Sequence, residues 1–130
     1  MKARLFPALV LSVFLAIAGF SGKVQADDHE GHFRHVVCFA FKEGTSDAEV
    51  EKIVEAFGEL PSKIDTIIDY EWGTSENIEP LNDGFTHCFL VTFEDRKGLE
   101  AYLPHEDHLA FVNLLKPKLE KVFVFDYTVQ

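Results

Sequence analysis

Apolar residues fall into four strand-like runs, and the stretches between them carry helical spacing. The first run, His35 to Phe41, is short and rich in Val and Phe, which predicts a buried strand. A two-residue period puts His35, Val37, Phe39 and Phe41 on one face, and Val36, Cys38 and Ala40 on the other. Ser46-Asp-Ala-Glu49 then reads as a capping box. The Ser46 hydroxyl can accept from the Glu49 amide while the Glu49 carboxylate reaches back. Val50, Ile53, Val54, Phe57 and Leu60 follow at helical spacing, so one stripe is core, and Pro61 is expected to stop the helix. Ile67 to Trp72 alternates and ends at Gly73, a second strand, and Ser75 to Gly84 is a polar loop. Phe85 to Phe93 predicts a third strand, with Phe85, His87, Phe89, Val91 and Phe93 on one face.

Asp95 can cap a short helix that runs through Tyr102 and stops before Pro104. Another helix is expected from about Asp107, with Leu109, Val112, Leu115 and Leu119 inward and Pro117 ending or kinking it. Val122 to Val129 is the last strand. The order β-α-β-β-α-α-β is a split βαβ, so the expected class is α+β: a ferredoxin-like antiparallel sheet with helices on one face. The first and third strands are then central neighbours, and His35 and His87 come close if they share a face. Val36, Cys38, Ala40, Cys88, Leu90, Phe123, Phe125 and Tyr127 would form the uncovered face, too apolar to stay in water as one patch. Pairing with a second copy across a two-fold axis is the simplest remedy, so a homodimer is expected.

The start of the chain follows a different rule. Met1 to Arg4 is short and basic, Leu5 to Phe20 is a 16-residue apolar run, and Val24-Gln25-Ala26 offers small residues at the two positions a signal peptidase reads. This is the pattern of a cleavable signal peptide. The run is short against the roughly 20 residues of a membrane span, which disfavours an uncleaved anchor. The expected organisation is a leader over 1–26, a flexible acidic lead-in over 27–32, and one domain over 33–130, secreted or periplasmic. Removing the leader takes away Lys2, Arg4 and Lys23, leaving nine basic against 22 acidic residues and a net charge of −13. Such a surface argues against nucleic acid or an anionic membrane as partner. Cys38 and Cys88 both lie in strand patterns. Two buried free thiols are the favoured reading, with a bridge between adjacent strands as the alternative, since it demands unusual geometry.

The candidate chemistry lies in four histidines and a tyrosine. His35 and His87 stand on strands, and Tyr102-Leu-Pro-His105-Glu-Asp-His108 surrounds a proline break. A neutral imidazole can take a proton near neutral pH. A phenol can donate to a carbonyl oxygen as charge builds on it. With His108 as base and Tyr102 as oxyanion donor, the pair suits proton abstraction beside a carbonyl, followed by aldol closure. Val37, Phe39, Phe57, Phe89 and Val91 would wall an apolar pocket, and no cofactor is needed. Other readings stand beside this one. His35 and His87 can be hydrogen-bonded core residues, His105 a solvated helix-entry residue, and Tyr102 a helix-end aromatic. His105 and His108 with the strand histidines make a weak metal set. A mature start at Asp27-Asp28-His29 would offer a square-planar nitrogen set for Cu(II) or Ni(II), against the plain reading of an acidic spacer.

From Phe33 to Val129 the chain resembles the stress-responsive α/β-barrel family, Dabb. The resemblance rests on His35 to Lys42 before a capped helix, Gly84 to Glu94, Ala101 to Phe111, and the closing Val-Phe-Asp-Tyr127. It implies a dimeric α/β barrel. By the motif Tyr-Leu-Pro-His-Glu-Asp-His, it also implies catalytic roles for Tyr102 and His108 as in a cyclising member, with pocket histidines at His35 and His87. Two departures bear on substrate: Glu106-Asp107 stands where the family usually has Pro-Ala, and Phe57 stands where that member has a pocket Tyr. Some plant members hold a cation through carbonyls after the first helix, which would match Pro61 to Ile67. The preferred expectation is an exported Dabb-type protein binding a small apolar molecule, with possible His/Tyr acid–base chemistry. The alternatives are a non-catalytic dimeric stress or interaction module, or a cofactor-free monooxygenase-like barrel.

Overall fold

A computed structural model describes residues 29–130. The expected leader, Asp27 and Asp28 lie outside the described residues. The chain forms β1 (Phe33–Phe41), α1 (Asp47–Lys63), β2 (Ile67–Thr74), β3 (His87–Phe93), α2 (Arg96–Tyr102), α3 (Glu106–Leu115), a 3-10 turn (Lys116–Lys118) and β4 (Leu119–Thr128). The strands make one antiparallel sheet in the order β2-β3-β1-β4, the ferredoxin-like arrangement, with β1 and β3 central. Among the described residues no helix is long and apolar enough to cross a membrane.

The three helices cover one face, and the core lies between them and the sheet. Val37, Phe39, Phe89, Val91 and Phe93 rise from β1 and β3 to meet Ile53, Phe57 and Leu60 of α1, Leu99 and Tyr102 of α2, and Phe111 and Leu115 of α3. Phe57 lies flat on Phe89, with ring centroids 4.5 Å apart and planes within 4°. The other face carries Phe123, Phe125 and Tyr127, which are 48%, 56% and 39% exposed.

The helix starts follow their caps. Ser46 Oγ accepts from the Glu49 amide at 3.2 Å while Glu49 Oε2 accepts from the Ser46 amide at 2.9 Å. Asp95 Oδ1 accepts from the Gly98 amide. Three details differ from expectation. Helix α1 runs past Pro61 to Lys63, because a proline in the last turn forfeits one bond while the Ile64 amide still reaches the Leu60 carbonyl. Helix α3 starts at Glu106, one residue early, because His105 Nδ1 accepts from the Asp107 amide and serves as its cap. Strand β3 starts at His87, not Phe85. The Phe39 carbonyl, whose residue pairs with His87, also accepts from the Thr86 amide, so the chain bulges there. That bulge turns Phe85 to the opposite face, where its ring meets Phe123 at 6.2 Å.

Candidate functional site

The register of β1 against β3 decides where the histidines stand. His35 pairs with Val91 and Phe39 with His87, so the two histidines share the helix-side face but are four residues apart along the sheet. At about 3.3 Å per residue that is about 13 Å. The expectation that they are neighbours is therefore corrected: they head two separate groups.

The first group joins β1, β4 and the α2–α3 turn. His35 is buried, and its Nδ1 lies 2.6 Å from Oδ1 of Asp126, its pairing partner on β4. A carboxylate only accepts, so this nitrogen carries the proton. The Tyr102 ring meets His35 edge-on at 6.0 Å and Phe93 at 5.3 Å, and it lies 4.3 Å from His108. His108 Nδ1 donates to the Leu103 carbonyl at 2.8 Å, which leaves Nε2 with the lone pair of a neutral imidazole. Pro104 makes this possible. Helix α2 ends with the Leu103 amide on the Leu99 carbonyl, the His105 amide closes on the Tyr102 carbonyl, and α3 then brings His108 back over the turn. Burial lowers the His108 pKa, aided by the charges of His35 and His105 and opposed by the Leu103 bond. Burial also holds the Tyr102 phenol well above its ordinary range, and Tyr70 adds to the rise. Beyond its effect on His108, His105 serves as the cap of α3 and lies 3.6 Å from the Asp107 carboxylate.

The second group lies at the other end of the sheet. His87 stacks on Trp72 at 6.2 Å and meets the Phe41 edge at 5.3 Å, and its Nδ1 is 2.8 Å from Thr86 Oγ1. Burial lowers its pKa. A groove of about 470 Å³ opens beside it, with Val50, Val54 and Trp72 as apolar walls and Asp47, Glu51 and Glu55 along one rim.

Val37, Phe39, Phe57, Phe89 and Val91 lie between the two groups, all at most 6% exposed and packed on one another. One residue of this layer was not singled out from the sequence. Tyr70 of β2 packs on Phe57 at 5.5 Å, and its buried hydroxyl has no hydrogen-bond partner. Burial pushes its pKa up to about 12. The strand alternation of Ile67 to Trp72 carried that signal, since it puts Tyr70 and Trp72 on the same face. After α1, the Leu60 and Ile64 carbonyls are spent on the Ile64 and Ile67 amides, and Lys63 lines the adjoining cavity.

Residues 33–129 match the Stress responsive A/B Barrel Domain family. The chain belongs to the Dabb family. It is similar to the stress-response A/B barrel protein HS1 of Arabidopsis thaliana, at 32% identity over 78% of this chain and 93% of that one. It is also similar to olivetolic acid cyclase of Cannabis sativa, at 28% over 73% of this chain and 94% of that one. The solved hydroxynitrile lyase of Passiflora edulis superposes with a TM-score of 0.70 at 25% identity, over 78% of this chain and 95% of that one. Further solved structures of this fold are described as dimeric ferredoxin-like proteins.

Proposed function

We propose that this Dabb protein is exported, pairs as a homodimer and binds a small apolar carbonyl compound, with His108 as base and Tyr102 as hydrogen-bond donor. The observation that carries the reading is the Tyr102–His108 contact at 4.3 Å, with His108 Nδ1 committed to Leu103. The commitment leaves Nε2 as the single proton acceptor of that ring. Burial lowers the ring's pKa, so at neutral pH it is unprotonated and Nε2 can accept a proton. His35, fixed by Asp126, holds the Tyr102 ring from the sheet side. Proton abstraction from a carbon beside a carbonyl would put the proton on His108 Nε2, and the growing charge on oxygen would be met by the Tyr102 hydroxyl. The cyclase and lyase among the relatives are in keeping with such chemistry.

One observation favours the rival reading of a non-catalytic module: Tyr102 is 1% exposed. Reaction at its hydroxyl therefore requires a ligand to displace part of the packing around Tyr102. Crystals of the exported protein soaked with a cell-extract metabolite mixture separate the two readings. A ligand retained beside His108 supports the site, and an unchanged packed core sinks it. With that ligand in hand, His108→Ala and Tyr102→Phe should each lower turnover at least about 100-fold without changing molar mass or fold. Unchanged turnover would remove both roles. N-terminal sequencing of the exported chain tests cleavage after Ala26.

A further inference from the structure

The groove beside His87 takes no part in the acid–base reading. It lies at the end of the sheet away from Tyr102 and His108, because His87 stands four residues along β3 from Val91, the partner of His35. Trp72 of β2 pairs with Phe89 and stacks on both Phe89 and His87, so its ring is on the helix side of the sheet. It is nevertheless 48% exposed. A second copy packed on the sheet would cover the opposite face and leave this groove open. That opposite face carries Phe123 and the register partners Cys38 and Cys88. Both cysteines are free thiols, Cys38 half-buried and Cys88 exposed, so the expectation of two buried thiols holds for neither in full.

The interior and the rim of the groove differ in character. Val50 and Val54 of α1 and the Trp72 indole make its interior apolar, over a volume of about 470 Å³. Asp47, Glu51 and Glu55 line it from successive turns of α1, about 6 Å apart along the helix axis. The helix has two other glutamates in ion pairs, Glu49 with Lys118 and Glu59 with Lys63. The three carboxylates of the groove have no ion pair among the described residues, and no lysine or arginine lines it. The positive end of the helix dipole favours Asp47, in the first turn, but fades before Glu51 and Glu55. Like charges four residues apart on a helix repel each other. Burial lowers the His87 pKa, so its ring is neutral at neutral pH and does not oppose a cation.

We propose that this groove binds a linear aliphatic polyamine, with its ammonium groups along the carboxylate row and its methylenes on Trp72, Val50 and Val54. The row of charges at a steady spacing calls for cations repeated along a chain, not for a single ion. The apolar interior calls for methylenes between those cations, which a hydrated metal ion does not offer. An ammonium passing over the exposed indole face gains a further attraction. One seated between Glu51 and Glu55 relieves their mutual repulsion. At longer range, the chain's net charge of −10 draws polycations to its surface. The inference is independent of His108 chemistry and of where the chain resides.

Trp72 is the one tryptophan of the chain, so its fluorescence reports on the groove directly. Titrating the folded protein with spermidine at low salt should give a saturable change in emission, with one site per chain and the same midpoint by calorimetry. Glu51→Gln and Glu55→Gln should each weaken binding about threefold, and the two together about tenfold. Glu59→Gln removes the same charge from the same helix outside the groove and should leave the midpoint unchanged. Trp72→Leu, followed by calorimetry, should weaken binding at least about threefold. Each variant is to be checked by circular dichroism against the native spectrum. The proposal is overturned by absence of saturable binding, or by binding that leaves the Trp72 emission unchanged. It is equally overturned if Glu59→Gln loses as much as Glu51→Gln, if Trp72→Leu loses nothing, or if an equal concentration of magnesium displaces spermidine, since each would reduce the effect to general attraction of cations.

Discussion

The state of His108 is the first thing a single residue can be asked to show. Its pKa lies below the ordinary 6.5, first because of burial and then because of the His35 and His105 charges. A titration of its ring protons by NMR should give a midpoint below 6.5, and a midpoint at or above 6.5 would remove the neutral base from the proposed chemistry. The stability consequence has a definite sign. Below 6.5 the unfolded chain takes up a proton that the folded chain still refuses, so stability is full above 6.5 and falls as the pH drops toward the folded midpoint. His87, shifted the same way by burial, adds to that fall. In His108→Asn the drop should be shallower, as read by urea denaturation across this window. At this scale the sequence was legible where the alternation of a strand is the whole argument. It put His35, Val37 and Phe39 on one face, and His87, Phe89 and Val91 on one face. It could not show register, which is set by pairing between distant segments, and so the separation of His35 from His87 was hidden. Nor could it show that a bulge at Thr86 would reverse Phe85, because the second bond to the Phe39 carbonyl is a tertiary event.

At the scale of elements, local chemistry was the most readable. The Ser46–Glu49 box, the Asp95 cap and the Pro104 break all act within four residues of themselves. Pro61 misled for the same reason, since a proline's cost depends on whether its turn is the last one. What the box does beyond its helix was not readable. Glu49 also meets the Lys118 ammonium at 2.5 Å, which ties the start of α1 to the turn that launches β4. The Lys118 contact first, then the Ser46 amide and hydroxyl, lower the Glu49 carboxyl from 4.5 to about 2. The stabilisation from this tie is present above 4.5 and is lost as the pH falls toward 2. The melting temperatures of the native protein and Glu49→Gln should therefore differ at pH 7 and converge as the pH falls through that interval. A constant difference would mean that the tie is not ionic. Ser46→Ala should cost about 1 kcal/mol at pH 7, as is usual for loss of a helix N-cap.

For the whole molecule, the sheet has one covered face and one that is not. The uncovered face was legible in outline, because residues alternating out of a strand face must meet something, and Val36, Leu90, Phe123, Phe125 and Tyr127 are apolar. Phe85 joins them only through the bulge. The aromatic edge is stacked along β4, Phe123 on Phe125 at 6.5 Å and Phe125 beside Tyr127 at 6.0 Å, a row suited to meeting its own copy across a two-fold axis. Against this works charge. The chain carries 22 acidic residues and 12 basic ones, so two copies repel each other, and only burial of the apolar face can outweigh that repulsion. Two consequences follow for light scattering in solution. Raising the salt concentration should strengthen the dimer, because it screens the repulsion and leaves apolar burial in place. Phe125→Glu should halve the molar mass, since it adds a charge at the centre of the row, whereas Ile78→Glu, an equally apolar loss at an 86% exposed loop position, should leave it unchanged. A native protein that is monomeric at every salt concentration would show that this face meets something other than a second copy of the chain.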